Sequence, residues 1–336
     1  MKNSKLLAKS ITLGLILAMP YSVVSANDIE QDSYSVGSNK TVTGMGSITI
    51  SGSSYIEGKL GVYNKQLGAE NFTTGSFILQ PNGVIYVGKL ETTSKSGTSA
   101  ISAISGEIYA NDIAFNNEAV NFNKSAEIIA ENSLTITTLK PIINNSNIVA
   151  DTITMNNYLT NRGSITAYEK LTTNSLYNSG SVSGKKLITP RGLTNGDISA
   201  GYNPNAMLNF YDIDTRYIIN AGLIEAQTIE NDLNISNMGE MIIGNTMTVD
   251  GVLKNGEGAD ITAQNIIIKQ DSDASGSDTT SVNKGSMTVN AKLELQNGAN
   301  FSFENGIGTS VNINNLQGDG NNKLNIAAGT TGIQVG

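Results

Sequence analysis

The stretch LTNRGSITAYEKLTT (159–173), followed by LYNSGSVSGKKLITP (176–190) and LTNGDISAGYN (193–203), decides the fold. It is one phrase repeated, and looser copies surround it: IINNSNIVADTITM (142–155), INAGLIEAQTI (219–229) and LKNGEGADITAQNIIIK (253–269). A unit this short cannot bury its apolar side alone, so neighbouring copies must stack into a solenoid. The template is L-x-N-x-G-x-I-x-(A/G), then a further apolar pair. Its isoleucine position falls at Ile108, Ile128, Ile148, Ile165, Val182, Ile198, Ile224, Ile242 and Ile261. Two residues on stands a small residue, as at Ala110, Ala130, Ala167, Gly184, Ala200, Ala226 and Gly244. An i, i+2 pair is the strand period, because alternate side chains of a strand face one way.

A second alternating pair usually follows, as in Leu134/Ile136 and Ile266/Ile268, and a third apolar position precedes the next unit, as at Leu159 and Leu176. The unit therefore holds about three short strands. Asn161-Arg162-Gly163, Asn178-Ser179-Gly180, Asn195-Gly196 and Asn220-Ala221-Gly222 are read as corners, since Asn and Gly accept left-handed backbone angles. The expected fold is all-β, a single-stranded parallel β-helix whose rungs repeat at roughly 4.8 Å. A hairpin-built sandwich or barrel also gives short strands with turn signals, but it does not repeat a three-strand phrase in one internal order.

Composition excludes more than it proposes. The chain has no His, Cys or Trp, so it has no disulfide, no Ser-His-Asp or Cys-His nucleophile and none of the usual zinc sites. Residues 1–26 read as a signal peptide: Lys2, Lys5 and Lys9, an apolar core from Ile11 to Met19, and the small-residue cleavage pattern Val24-Ser25-Ala26. That run is too short to span a bilayer. Removing it leaves 18 basic and 29 acidic residues, a net charge of −11, which argues against nucleic acid as a partner.

Along the chain, 27–45 is expected to cap the first rung and 46–336 to form the β-helix. Insertions are expected near 202–217 and 269–285, and solenoid insertions leave as loops where binding often sits. In the first, Asp212, Asp214 and Arg216 form the best cluster for carboxylate chemistry of the glycosidase kind. In the second, Asp271, Asp273, Ser275, Gly276 and Asp278 resemble the first half of a calcium loop. Val282 stands where the closing acid would be. No catalytic, cofactor-binding or metal residue is assigned on this basis. The chain is expected not to be an enzyme, and the alternative is a carbohydrate-active β-helix enzyme using Asp212 and Asp214.

The signal peptide and the cysteine-free L-x-N-x-G-x-I-x-A units, such as Leu159 to Ala167 and Leu176 to Gly184, resemble the passenger region of bacterial autotransporters and related adhesins. The resemblance covers roughly 105–269. It implies a right-handed parallel β-helix exported by the Sec machinery and displayed at the cell surface or outer membrane, or released. The implied partners are an outer-membrane β-barrel translocator and a host-cell or glycan surface. Such passengers precede a barrel of ~10-residue alternating strands. No such segment occurs in 1–336, so the chain is expected to be part of a longer protein. QPNGVIYVG (80–88) is also similar to the N-P-N-G turn of haemagglutinin-like exoproteins secreted with a separate partner, with Gln80 in place of the first Asn.

Overall fold

A computed structural model describes residues 28–62, 66–93, 101–197, 199, 202–270, 279–304 and 309–336. The expected signal peptide and the Asp271–Asp278 segment lie outside the described residues. The fold is a parallel β-solenoid of about 14 stacked turns, with no helix among the described residues. The chain divides into two compact units, Met1–Ala167 and Tyr168–Gly336.

In the first unit, one turn shows how the repeat works. Strand Glu127–Thr138 pairs in parallel with Glu107–Asn117 before it and Asn147–Asn161 after it. Its register breaks between Ala130 and Ser133, which bends the strand into two segments, and Ile142–Asn144 supplies the third. Ile128 aligns with Ile108 and Ile148, and Leu134 with Ile113 and Ile153, all fully buried. These are the expected apolar pairs stacked column over column. Ile29–Val36 pairs in parallel with Met45–Ile56, so the stretch expected as a cap is itself a turn of the solenoid. A short antiparallel pairing of Gly61 and Val62 with Leu67 and Gln66 interrupts this region. Gln80-Pro81-Asn82-Gly83 does form a tight turn, with Gly83 N donating to Gln80 O at 2.9 Å.

In the second unit, the first inward column runs Val182, Leu208, Ile224, Met241, Ile261, Met287 and Val311. Two sequence assignments fail here. Ile198 lies outside the described residues, and its expected place beside Val182 is taken by Leu208, with Phe210 after it. Residues 207–220 are therefore no inserted loop but a regular strand, Met207–Asn220, and the excursion falls between Asn195 and Met207. Ile242 is also displaced by one: Met241 and Ile243 point inward, at 0% and 2% exposure, and Ile242 outward at 39%. A slip of one residue moves a strand's whole apolar set to the other face, so the second match in the run Met241-Ile242-Ile243 misassigns the turn. Nor is the second inward position reserved for small residues, since Phe210, Ile243 and Val289 occupy it beside Ala226 and Ala263. The second insertion is shorter than expected, because Thr280–Asn283 is a regular third segment.

The corner asparagines are the larger correction. Asn178, Asn195, Asn220, Asn237, Asn255 and Asn283 are buried side chains, at most 1% exposed. Each Nδ2 donates to the next Oδ1: 178 to 195 at 2.9 Å, 195 to 220 at 2.9 Å, 220 to 237 at 2.8 Å, 237 to 255 at 2.9 Å and 255 to 283 at 2.7 Å. The same amide closes its own corner. Asn220 Nδ2 donates to Gly222 O at 3.0 Å, and Gly222 N donates back to Asn220 Oδ1 at 3.1 Å. Asn144 donates to Asn161 at 2.8 Å in the first unit. Phenylalanine occupies the same column beyond two of these residues: Phe122 aligns with Asn144, and Asn283 with Phe303.

None of these asparagines has a left-handed backbone; among the described residues only Asn297 does outside glycine. The glycines two residues on are needed for proximity instead. A Cβ on Gly222 would lie 2.2 Å from Ala206 O, and one on Gly239 2.2 Å from Gly222 O. Consecutive corners touch backbone to backbone.

The register of the fourth inward position is directly testable. Met241→Asp puts an unpaired charge between stacked strand layers and should cost several kcal/mol, on the order of 3–5. Ile242→Asp faces water and should cost about 0.5 kcal/mol or less. Chemical denaturation of the two variants measures both, and equal costs contradict the alignment.

Candidate functional site

Asp212 and Asp214 flank the buried Ile213 on strand Met207–Asn220, so both carboxylates face outward, as their spacing requires. Asp212 accepts the hydroxyl hydrogen bond of Thr228, its register partner in the next turn. Lys186, aligned with Asp212 in the preceding turn, reaches Asp214 with Nζ–Oδ2 3.8 Å. Glu230 aligns with Asp214 on the other side. Arg216 is exposed on the same strand, and the cation paired with Asp214 is Lys186. Beside them Lys185 donates to Glu169 at 2.8 Å, and that bond holds its ammonium above the ordinary lysine range. The cluster is a set of cross-turn pairs on an open sheet face. Carboxylate-pair hydrolysis needs the two groups to flank a bound sugar with a water between or beneath. Asp212 and Asp214 instead lie side by side along one strand.

A second outward cluster, which sequence reasoning passed over, lies in the first unit. Tyr86 and Tyr109 align on successive turns, followed by Ile129 and Val149. The Tyr109 hydroxyl shares its one hydrogen between Glu107 Oε2 at 3.1 Å and Glu127 Oε2 at 3.0 Å. Burial first, then these two carboxylates, pushes its phenol well above the ordinary tyrosine range. A sequence signal existed: IYVG (85–88) and IYAN (108–111) both place Tyr directly after the inward Ile, on the opposite strand face.

Shallow grooves cross the turns, and two of them carry exposed apolar side chains beside charged ones. One, of about 400 Å³, is lined by the aligned Thr93, Asn116 and Thr137 with Asn156, Glu118 and the 84% exposed Leu139. The Glu118–Lys140 pair, at 2.7 Å, stands at its edge. The other, of about 430 Å³, lies among Met238, Lys254, Val282, Lys284 and Glu304. Among the described residues no three carboxylates are placed to share a metal ion.

The outward columns are chemically mixed where the inward column of Val182 is apolar throughout. Outside the column of Val182 run Ser183, Asn209, Glu225, Ile242, Thr262, Thr288 and Asn312. Comparisons with protein-family models, curated proteins and solved structures find no match to this chain.

The two outward clusters should differ in structural weight. Tyr109→Phe removes the hydrogen bond shared by these two charged acceptors and should cost about 1.5–3 kcal/mol. Asp212→Asn leaves Thr228 an acceptor and should change stability by about 0.5 kcal/mol or less. Urea midpoints at constant m-value report both.

Proposed function

We propose that this protein is the exported, surface-displayed passenger of a type V secretion system, acting as a structural or adhesive scaffold without catalysis. The observation that carries the reading is the contrast between columns. An interior of repeating Ile, Val, Leu, Met and Asn keeps one geometry turn after turn, while the exterior varies freely. A solenoid of this kind presents changing side chains on a constant frame, and such surfaces serve recognition. Two features of the sequence agree. The N-terminal 26 residues have the organisation of a cleaved signal, and the chain has no cysteine to cross-link before reaching the surface. Asp212 and Asp214, engaged by Thr228 and Lys186, serve here to tie turns together.

Expression of the full-length gene product in a Gram-negative host, with cell fractionation and N-terminal sequencing, tests export. The reading requires an exported chain that begins at Asn27, and a cytoplasmic chain that keeps Met1 overturns it. A reducing-sugar assay over a polysaccharide panel tests the absence of catalysis. Hydrolysis lost in Asp212→Asn and Asp214→Asn would overturn the scaffold reading.

A further inference from the structure

The sequence contains five Asn-Gly pairs: 82–83, 195–196, 255–256, 297–298 and 305–306. This dipeptide has its own chemistry. The glycine backbone nitrogen attacks the asparagine side-chain carbonyl carbon and ammonia leaves. Water then opens the resulting imide to aspartate or isoaspartate. Water is the one co-reactant, and glycine favours the closure because it carries no Cβ to block the approach. The structure sorts these pairs into distinct situations, with Asn305-Gly306 lying outside the described residues.

Asn195 and Asn255 belong to the buried amide stack. Asn195 Nδ2 donates to Asn220 Oδ1 at 2.9 Å and to Leu223 O at 3.0 Å, and its Oδ1 accepts from Asn178 at 2.9 Å. Gly196 N, the would-be nucleophile, donates to Asn178 O at 2.7 Å. Asn255 is held alike, by Asn283 at 2.7 Å, Ser286 O at 2.9 Å and Asn237 at 2.9 Å, with Gly256 N on Asn237 O at 2.8 Å. Reaction at either needs both the side chain and the glycine nitrogen to leave these bonds together. Asn82 is exposed, but Gly83 N is the donor that closes its own turn, to Gln80 O at 2.9 Å.

Asn297 is different. Its side chain is exposed, and with φ of 56° followed by Gly298 at 77° it forms a two-residue hairpin-type turn closed by Ala299 N on Gln296 O at 3.1 Å. Gly298 N is therefore not the donor that closes the turn. The preceding amide, Asn297 N, donates to Asp319 Oδ2 at 2.5 Å, and that carboxylate also accepts from Asn322 Nδ2 at 2.7 Å. The turn that carries Asn297 and Gly298 thus lies open to water against an exposed carboxylate.

We propose that Asn297-Gly298 is a self-modification site of the folded protein, turning to aspartate or isoaspartate, while the fold holds Asn195 and Asn255 as amides. The conversion has a structural consequence. It sets a new carboxylate next to Asp319, and isoaspartate lengthens the backbone where Asn297 N meets that residue. The link between the turn at 296–299 and the following turn weakens, and strand Asn300–Phe303 loosens from Lys323–Ile326, its register partner.

The test is peptide mapping by mass spectrometry of the full-length chain, aged at neutral pH in native buffer and in denaturant. In native buffer Asn297 should convert first, at least about tenfold faster than Asn195 or Asn255, which react only through local opening. In denaturant the described pairs should convert at comparable rates. Backbone hydrogen exchange of the aged native sample should show protection lost at 300–303 and 323–326 and kept at 223–237. Native conversion led by Asn195, Asn255 or Asn82, or an Asn297 that stays an amide, overturns the proposal.

Discussion

Each buried corner asparagine carries a two-donor, one-acceptor amide into contacts that only a correctly stacked neighbour can supply. Along 178–283 the amide of one turn donates to the amide of the next, and at Asn178, Asn220, Asn237 and Asn283 it also closes its own corner onto the glycine two residues later. A typical hydrogen bond contributes about 0.5–1.5 kcal/mol net, but a buried amide left without partners costs about 1–3 kcal/mol. The asymmetry makes the stack a register device. An apolar column tolerates a shifted neighbour, whereas an amide column leaves orphaned polar groups on both sides of the fault. With no cysteine available, alignment rests on this column and on the apolar columns beside it.

The corner's backbone geometry follows from the same constraint. Gly222 and Gly239 sit where the preceding corner's carbonyl approaches to a distance that no Cβ permits. The amide must remain close to its successor, so the residue after the corner cannot carry a side chain pointing along the stack. Where the amide column stops, phenylalanine takes its place, as at Phe122 before Asn144 and Phe303 after Asn283. An aromatic ring fills the corner volume and leaves no donor unmet. The outer faces carry none of these demands, which is why Tyr109, Asp212, Glu225 and Leu139 can differ so widely in chemistry at structurally similar places.

Much of the architecture was legible because the strand period is unforgiving. Ile108, Ile128, Ile148, Ile224 and Ile261 sit inside as their spacing indicates, and Asp212 and Asp214 share an outward face for the same reason. Failures came where several apolar residues adjoin, as in Met241-Ile242-Ile243, or where a long excursion displaces the next match from Leu208 to Ile198. The asparagines were visible but misread. Their backbone preference for corners suggested turn conformations, while their parity told another story: Asn178 lies two residues after the inward Leu176, Asn195 after Leu193 and Asn220 after Ile218. A polar residue at inward parity in successive turns is the signature of a stacked interior amide. The Tyr109 cluster was legible only in part: the Ile-Tyr phrases and the i, i+2 spacing of Glu107 are local, but Glu127 arrives through cross-turn register, which no local pattern encodes.

Hydrogen exchange of the asparagine side-chain amides, resolved residue by residue by NMR, tests the amide column most directly. The Nδ2 protons of Asn195, Asn220, Asn237 and Asn255 should exchange more slowly than those of exposed Asn82 and Asn297 by orders of magnitude, because release requires opening of the stack. Replacing Asn220 with Ala should then speed exchange at Asn195 and Asn237 before it reaches Asn283. Exchange at the stacked amides as fast as at the exposed ones would contradict the account, whatever the backbone amides show.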